Sequence, residues 1–75
     1  MHINDAMKLM LPEKHITVSL GCWQKDGSRM ILKNVVCISA NKDGTRLMKK
    51  VDNPAIIRRV RDYCIYEIND EEIYI

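Results

Sequence analysis

The run Arg29–Ala40, RMILKNVVCISA, constrains the fold more than any other stretch. It is the longest apolar-rich run in the chain. Lys25-Asp26-Gly27-Ser28 precedes it and Asn41-Lys42-Asp43-Gly44 follows it. A β-rich run between two Asp-Gly turns reads as the middle strand of a three-stranded meander. His15 to Trp23 supplies the strand before it. There Ile16, Val18, Leu20 and Cys22 alternate with His15, Thr17, Ser19 and Gly21, so the first set is expected to face the core. Trp23 falls in the outward register beside the turn, as a lid over a barrel mouth or as a stacking and docking surface. Arg46 to Val51 supplies the strand after the central run.

The two turns disagree about which face of the central strand is inward. Read as a two-residue turn, Asp26-Gly27 sets Cys22 opposite Ile31 and Val18 opposite Val35. Read the same way, Asp43-Gly44 sets Leu47 opposite Ala40 and Val51 opposite Val36. Side chains alternate along a strand, so these registers bury opposite faces. A three-residue loop at Lys42-Asp43-Gly44, with Gly44 left-handed, reconciles them by placing Leu47 opposite Ser39 and Val51 opposite Val35. A bulge at Lys33-Asn34, the polar pair inside the run, is the other resolution. Met30, Leu32, Val36 and Ile38 are then expected on the second face. An apolar second face needs a cover, and uncovered it is a binding surface.

Before the meander, Asn4 or Asp5 caps a short helix over residues 6–11, stopped by Pro12, whose Met and Leu side chains plug an open end of the core. After it, Asn53 and Pro54 open a short helix or helical turn carrying Ile56, Ile57 and Val60 on one face. A single strand from Ile57 to Ile68 is the competing reading. Tyr63–Ile68 is a strand, Asn69-Asp70 a turn, and Glu72–Ile75 the last strand, with glutamates guarding an open edge. The expected fold is a mainly β, small α+β chain: one domain over 1–75, a five-stranded SH3-, Sm- or OB-like barrel or half-barrel with a short N-terminal helix and a helical turn near Pro54.

At 75 residues, the chain buries only about 60% of its unfolded surface. Disulfides, metals or oligomerisation usually supplement so thin a core. The cysteines Cys22, Cys37 and Cys64 are odd in number, lack CxxC spacing and lie in apolar segments, which favours a reducing compartment. Two histidines without local cysteine partners argue against zinc, and no cofactor is expected. Oligomerisation is the supplement that fits. The start MHINDAMKLML lacks a basic n-region and a long apolar core, and no run approaches the roughly 18 apolar residues of a membrane span. The expected setting is cytoplasmic, or inside a viral assembly, without a membrane.

The net charge of +2 conceals a polarity. Residues 42–61 carry seven basic and two acidic groups; residues 62–75 carry five acidic groups and no basic one. Arg46, Lys49, Lys50, Arg58, Arg59 and Arg61 are candidates for an anion or nucleic-acid patch, with Trp23, Tyr63 and Tyr66 as stacking faces. Met30, Leu32, Val36, Ile38, Trp23, Glu71 and Glu72 are candidates for a protein interface. No nucleophile is placed with a base and an orienting group, the carboxylates cluster in the tail, and no glycine sits in a phosphate-binding pattern, so no catalytic residue is assigned. The expected function is a non-enzymatic interaction or assembly module, a homo-oligomer or a small subunit of a larger assembly. Its partner is a second copy or another protein, and the alternative is a small nucleic-acid-binding barrel.

A short helix followed by five strands, the second one long, resembles the Sm-like family of small RNA-binding barrels. His15-Ile16-Thr17-Val18-Ser19-Leu20 is similar to their first strand, and Tyr66 to Ile73 falls where they carry the last hairpin. That family has an Arg-Gly pair in this hairpin, whereas Glu67 to Glu72 here is acidic, so no binding residue is carried over. The make-up also suits a minor structural protein of a phage or mobile element.

Overall fold

A computed structural model describes all 75 residues. The chain forms helix α1 (Ile3–Leu9), then strands β1 (Thr17–Trp23), β2 (Arg29–Ala40), β3 (Thr45–Lys50), β4 (Ile57–Arg61), β5 (Ile65–Ile68) and β6 (Glu71–Glu72). Single 3-10 turns occupy Pro12–Lys14 and Asp62–Cys64. All six strands lie in one antiparallel sheet of order β4-β3-β2-β1-β5-β6. The sheet is open: β4 ends it on one side, so the five-stranded barrel is replaced by a six-stranded open sheet. No helix is long and apolar enough to cross a membrane.

Both meander turns are three-residue loops closed by a left-handed glycine. Trp23 pairs with Arg29, Gln24 N–H donates to the Ser28 carbonyl, and Gly27 has φ +87°. Ala40 pairs with Arg46, Asn41 N–H donates to the Thr45 carbonyl, and Gly44 has φ +85°. Glycine carries no Cβ to clash in this region. The central strand also bulges at Lys33-Asn34, where the β1 register shifts and Asn34 takes φ +55°. A second shift falls between Cys37 and Ser39. The three-residue loop and the bulge, expected as alternatives, are both present, and the two-residue turn expected at Asp26-Gly27 is instead the three-residue loop Lys25-Asp26-Gly27.

These bulges decide which face each residue takes. Val18 does oppose Val35, and Leu47 does oppose Ser39, but Cys22 opposes Met30 and Lys50, not Val51, opposes Val35. Leu32 is buried in the core and Met30 packs against it, so neither lies on the second face. Ile31 is exposed in their place, with Ile38 exposed and Val36 half-buried. Ile16 precedes β1 and is exposed instead of buried. Met48, wholly buried, takes the core position expected of Leu47.

The core gathers Val18, Leu20, Cys22, Leu32, Val35, Cys37, Met48, Val60, Ile65 and Ile68 from five strands, closed by Ala6 and Met10 from the N-terminal segment. Helix α1 thus plugs the core as expected. It starts earlier than expected, at Ile3 rather than residue 6, because His2 and not Asn4 or Asp5 caps it, the His2 Nδ1 accepting from Asn4 N–H at 3.0 Å. Each fully buried aliphatic side chain contributes about 1.5–3 kcal/mol.

The helix expected from Pro54 to Arg61 does not form. Pro54 and Ala55 lie in a turn closed by Ile56 N–H donating to the Asn53 carbonyl at 2.9 Å, and Ile57–Arg61 is strand β4. Ladder bonds to β3 and burial of Val60 outweigh the weak local helix signal. The expected strand Tyr63–Ile68 begins only at Ile65, after the 3-10 turn. Asn69 and Asp70, both left-handed, join β5 to β6 as a two-residue turn.

Candidate functional site

The two ends of the sheet differ in what their backbones offer. Beyond β6 the chain continues to Tyr74, which forms a parallel bridge with His2. The N-terminal ammonium donates to the Glu72 carbonyl at 2.7 Å, Tyr74 N–H donates to the Met1 carbonyl at 3.0 Å, and Ile3 N–H donates to the Tyr74 carbonyl at 2.7 Å. The β6 edge is therefore covered by residues 1–3, and the glutamates do not guard an open strand. The ammonium also lies 3.7 Å from Glu71 Oε1.

The β4 edge has no such cover. Asp62 N–H donates to the Gly44 carbonyl, and Lys50 N–H to the Ile56 carbonyl, on either side of the β3–β4 ladder. Bonded and non-bonded pairs alternate in an antiparallel ladder. With Arg46 opposite Val60 and Met48 opposite Arg58, those two pairs carry the β3 bonds. The N–H and C=O groups of Ile57, Arg59 and Arg61 point away from β3, along the uncovered edge, where the Ile57 carbonyl accepts from Arg58 Nη1 at 3.3 Å.

Side chains around this edge are basic. Arg58, Arg59 and Arg61 are exposed and line an open groove of about 940 Å³ with Lys25, Trp23 and Val60. The groove runs between β4 and the β1–β2 turn, where the sheet fails to close. Asp26 and Asp43 also line it. Asp43 accepts from the Thr45 hydroxyl at 2.6 Å and from Thr45 N–H at 3.1 Å; these bonds, with a smaller contribution from the Arg59 charge, hold its carboxyl below the usual range. Ser28 does the same for Asp26, through its hydroxyl and then its backbone N–H.

Arg46 does not belong to the basic patch. It is 5% exposed, its Nε donating to Asp62 Oδ1 at 2.7 Å and its Nη1 to the Met10 carbonyl at 2.7 Å. It ties the end of the N-terminal segment to β3 and to the turn after β4. Lys49 and Lys50 are half-buried on β3, one strand in from the edge. Of the six basic candidates, the fold brings Arg58, Arg59 and Arg61 together and adds Lys25, which the sequence did not single out because it sits in a distant turn.

A second groove, of about 320 Å³, is lined only by apolar and aromatic residues, among them Trp23, Tyr63, Tyr66, Tyr74 and Ile75. Tyr63 is 76% exposed. Trp23 borders both grooves, 43% exposed, with its ring 5.5 Å from that of Tyr66. The Arg29 guanidinium lies 4.9 Å from the Trp23 ring centre and 5.4 Å from that of Tyr66. Such a cation is held by the ring quadrupoles and occupies stacking surface. Trp23 is thus an outer-face residue beside a seam. The apolar interface candidates split: Val36 and Ile38 stay on the outside, while Leu32 is committed to the core.

Cys22 is buried, and burial, with Cys64 nearby, pushes its thiol upward. No family model, no curated protein and no solved structure matches the chain.

Proposed function

We propose that this protein is a non-enzymatic protein-interaction module, a small subunit that docks into a larger assembly through its sheet edge. The observation behind this reading is the free β4 edge, with the backbone groups of Ile57, Arg59 and Arg61 turned outward while the opposite end of the sheet is covered. An uncovered edge is a template for another strand. The strand order, with a 3-10 turn between β4 and β5, suits a half-barrel left open at β4. Cys22 is packed in the core rather than exposed as a nucleophile, which supports a non-catalytic reading.

Arg59→Pro tests it. The substitution removes an edge donor without removing a bond to β3, and edge strands tolerate proline. Wild-type chain, sized in extract of the cells that make it, is expected well above its own 8.8 kDa, and the Arg59→Pro chain close to it. Both chains running at 8.8 kDa would sink the reading.

Nucleic-acid binding is the second reading, favoured by Trp23 at the rim of a groove holding Lys25, Arg58, Arg59 and Arg61. Arg29 on the Trp23 ring, which takes up stacking surface, weighs against it. It requires salt-sensitive binding of single strands that is lost when Arg58, Arg59 and Arg61 become alanine. No oligonucleotide binding at low salt removes it.

A further inference from the structure

We infer that the β4 edge takes an extended segment of a partner protein with acidic side chains at alternate positions and apolar ones between them; this rests on the interaction-module reading above.

The backbone sets the mode. Ile57, Arg59 and Arg61 offer three N–H donors along one line. The Arg59 carbonyl is free between an Ile57 carbonyl that accepts from Arg58 Nη1 at 3.3 Å and an Arg61 carbonyl that opens the 3-10 turn. An added strand satisfies that line and a helix or loop does not. Because β6 is covered by residues 1–3, the acidic end of a second copy presents no matching free backbone. Head-to-tail strand pairing of copies is therefore disfavoured.

Pairing of β4 with β4 of a second copy is disfavoured as well. Three of its five residues are arginines, and an antiparallel pair would bring like charges across the new ladder. The same charges that reject a second copy select an acidic strand.

The side-chain pattern follows from the pleat. Arg59 and Arg61 share the face of their partners Leu47 and Thr45, and Arg58 and Val60 share the face of Met48 and Arg46. An added strand continues both faces. Its residues on the first face meet Arg59 and Arg61, where carboxylates fit. Its residues on the second face look into the seam groove, where Val60, Met30 and Cys22 supply apolar lining and Arg58 stands at the side.

The experiment uses the full chain and three blocked hexapeptides: alternating Val-Glu, alternating Val-Lys, and Val-Glu with every second amide N-methylated. Amide chemical shifts locate binding, and fluorescence anisotropy measures it at two salt concentrations. The Val-Glu peptide is expected to bind at least tenfold more tightly than Val-Lys. It should move the amides of Ile57, Arg59 and Arg61, and should lose affinity on N-methylation of the edge-facing amides. Arg59→Glu with Arg61→Glu is expected to reverse the preference. Equal affinity for the acidic and basic peptides overturns acidic selection, and so does binding of an oligothymidylate but no peptide at these amides. A large wild-type complex in extract alongside that result would leave the interaction reading standing, so the two failures are distinguishable.

Discussion

Arg46 and Asp62 form an ion pair of 2.7 Å between the middle of the chain and the turn that follows β4, and the same guanidinium holds the Met10 carbonyl. Three segments that are distant in sequence meet at one side chain. The pair is mostly withdrawn from water, with side-chain exposures of 6% and 17%. Removing one member of such a pair leaves the other uncompensated. Arg46→Ala is expected to cost about 3 kcal/mol, and Arg46→Lys to lose part of that, since an ammonium cannot reproduce the fork. Denaturant unfolding checks this. A loss below about 0.5 kcal/mol, the range of ordinary surface substitutions, would show that Arg46 acts as a surface charge.

The Tyr66 ring closes directly over Gly21. A Cβ at Gly21 would lie 2.6 Å from Cζ and Oη of Tyr66, whose ring covers the glycine. An aromatic ring laid over a strand glycine restores contacts that the glycine lacks. Gly21→Ala is expected to displace Tyr66 and to cost about 1–3 kcal/mol through overpacking. Trp23, the single tryptophan, touches Tyr66, so its emission reports the displacement. Adding Tyr66→Ala should remove most of the extra cost in a double-mutant cycle. Additive costs with unchanged emission would refute the contact.

The meander was legible because its signals are local: Asp-Gly turns, alternation in Val18, Leu20 and Cys22, and a polar pair at Lys33-Asn34. The register conflict showed that the central strand had to be bent, and the fold uses both devices that resolve it. What could not be read is non-local. Asn53-Pro54 starts a turn or a helix equally well, and only the β3 ladder decides for strand β4. Arg46 looks like any basic residue until Asp62 and Met10 come beside it. The cover over β6 depends on Met1–Ile3 meeting Glu72–Tyr74, from opposite ends of the chain. Among the candidate residues, Arg58, Arg59 and Arg61 were found by their charge, but the free backbone that gives them a use was not.

Acid should loosen the two meander turns. Hydrogen bonds from Thr45 to Asp43, and from Ser28 to Asp26, lower both carboxyls in the folded state. In the unfolded chain they return to about 3.9. A lowered folded pKa adds stability that is fully present above the unfolded value and is lost as pH falls through the folded one. Turn amides and unfolding midpoints should therefore hold steady from about pH 7 to about 5 and decline below about pH 4. The Asp26→Asn, Asp43→Asn double variant should show a shallower acid limb; an unchanged limb would place its origin elsewhere.

Cys22 works in the other direction. Burial first, and then Cys64, raise its thiol. A raised folded pKa leaves stability intact below the unfolded value, about 8.5, and erodes it as pH rises through the folded one. Iodoacetamide at about pH 8 is expected to alkylate the half-buried Cys64 well before Cys22, with Cys22 reacting only as the chain unfolds. Peptide mapping against time checks the order. Equal rates under native conditions would show that the seam groove admits reagent to Cys22.

The bulge at Lys33-Asn34 settles the register of the central strand. Asn34 sits at φ +55° in the shift between β1 and β2, its N–H donating to Ser19 Oγ at 3.3 Å and its carbonyl accepting from Val51 N–H at 2.9 Å. Asparagine tolerates the left-handed region better than other side chains, and β-branched residues tolerate it worst. Asn34→Gly is expected to be within about 0.5 kcal/mol of wild type, whereas Asn34→Val should cost about 1–2 kcal/mol from backbone strain alone. Strain is not the only consequence. If the bulge is expelled, the halves of β2 fall back into one register, and either Leu32 or Val35 must leave the core. Amide exchange separates the outcomes: a strained but intact bulge raises exchange near Asn34 alone, and a register slip raises it along all of β2. Equal stability of the glycine and valine variants would mean that the left-handed bulge does not fix the register.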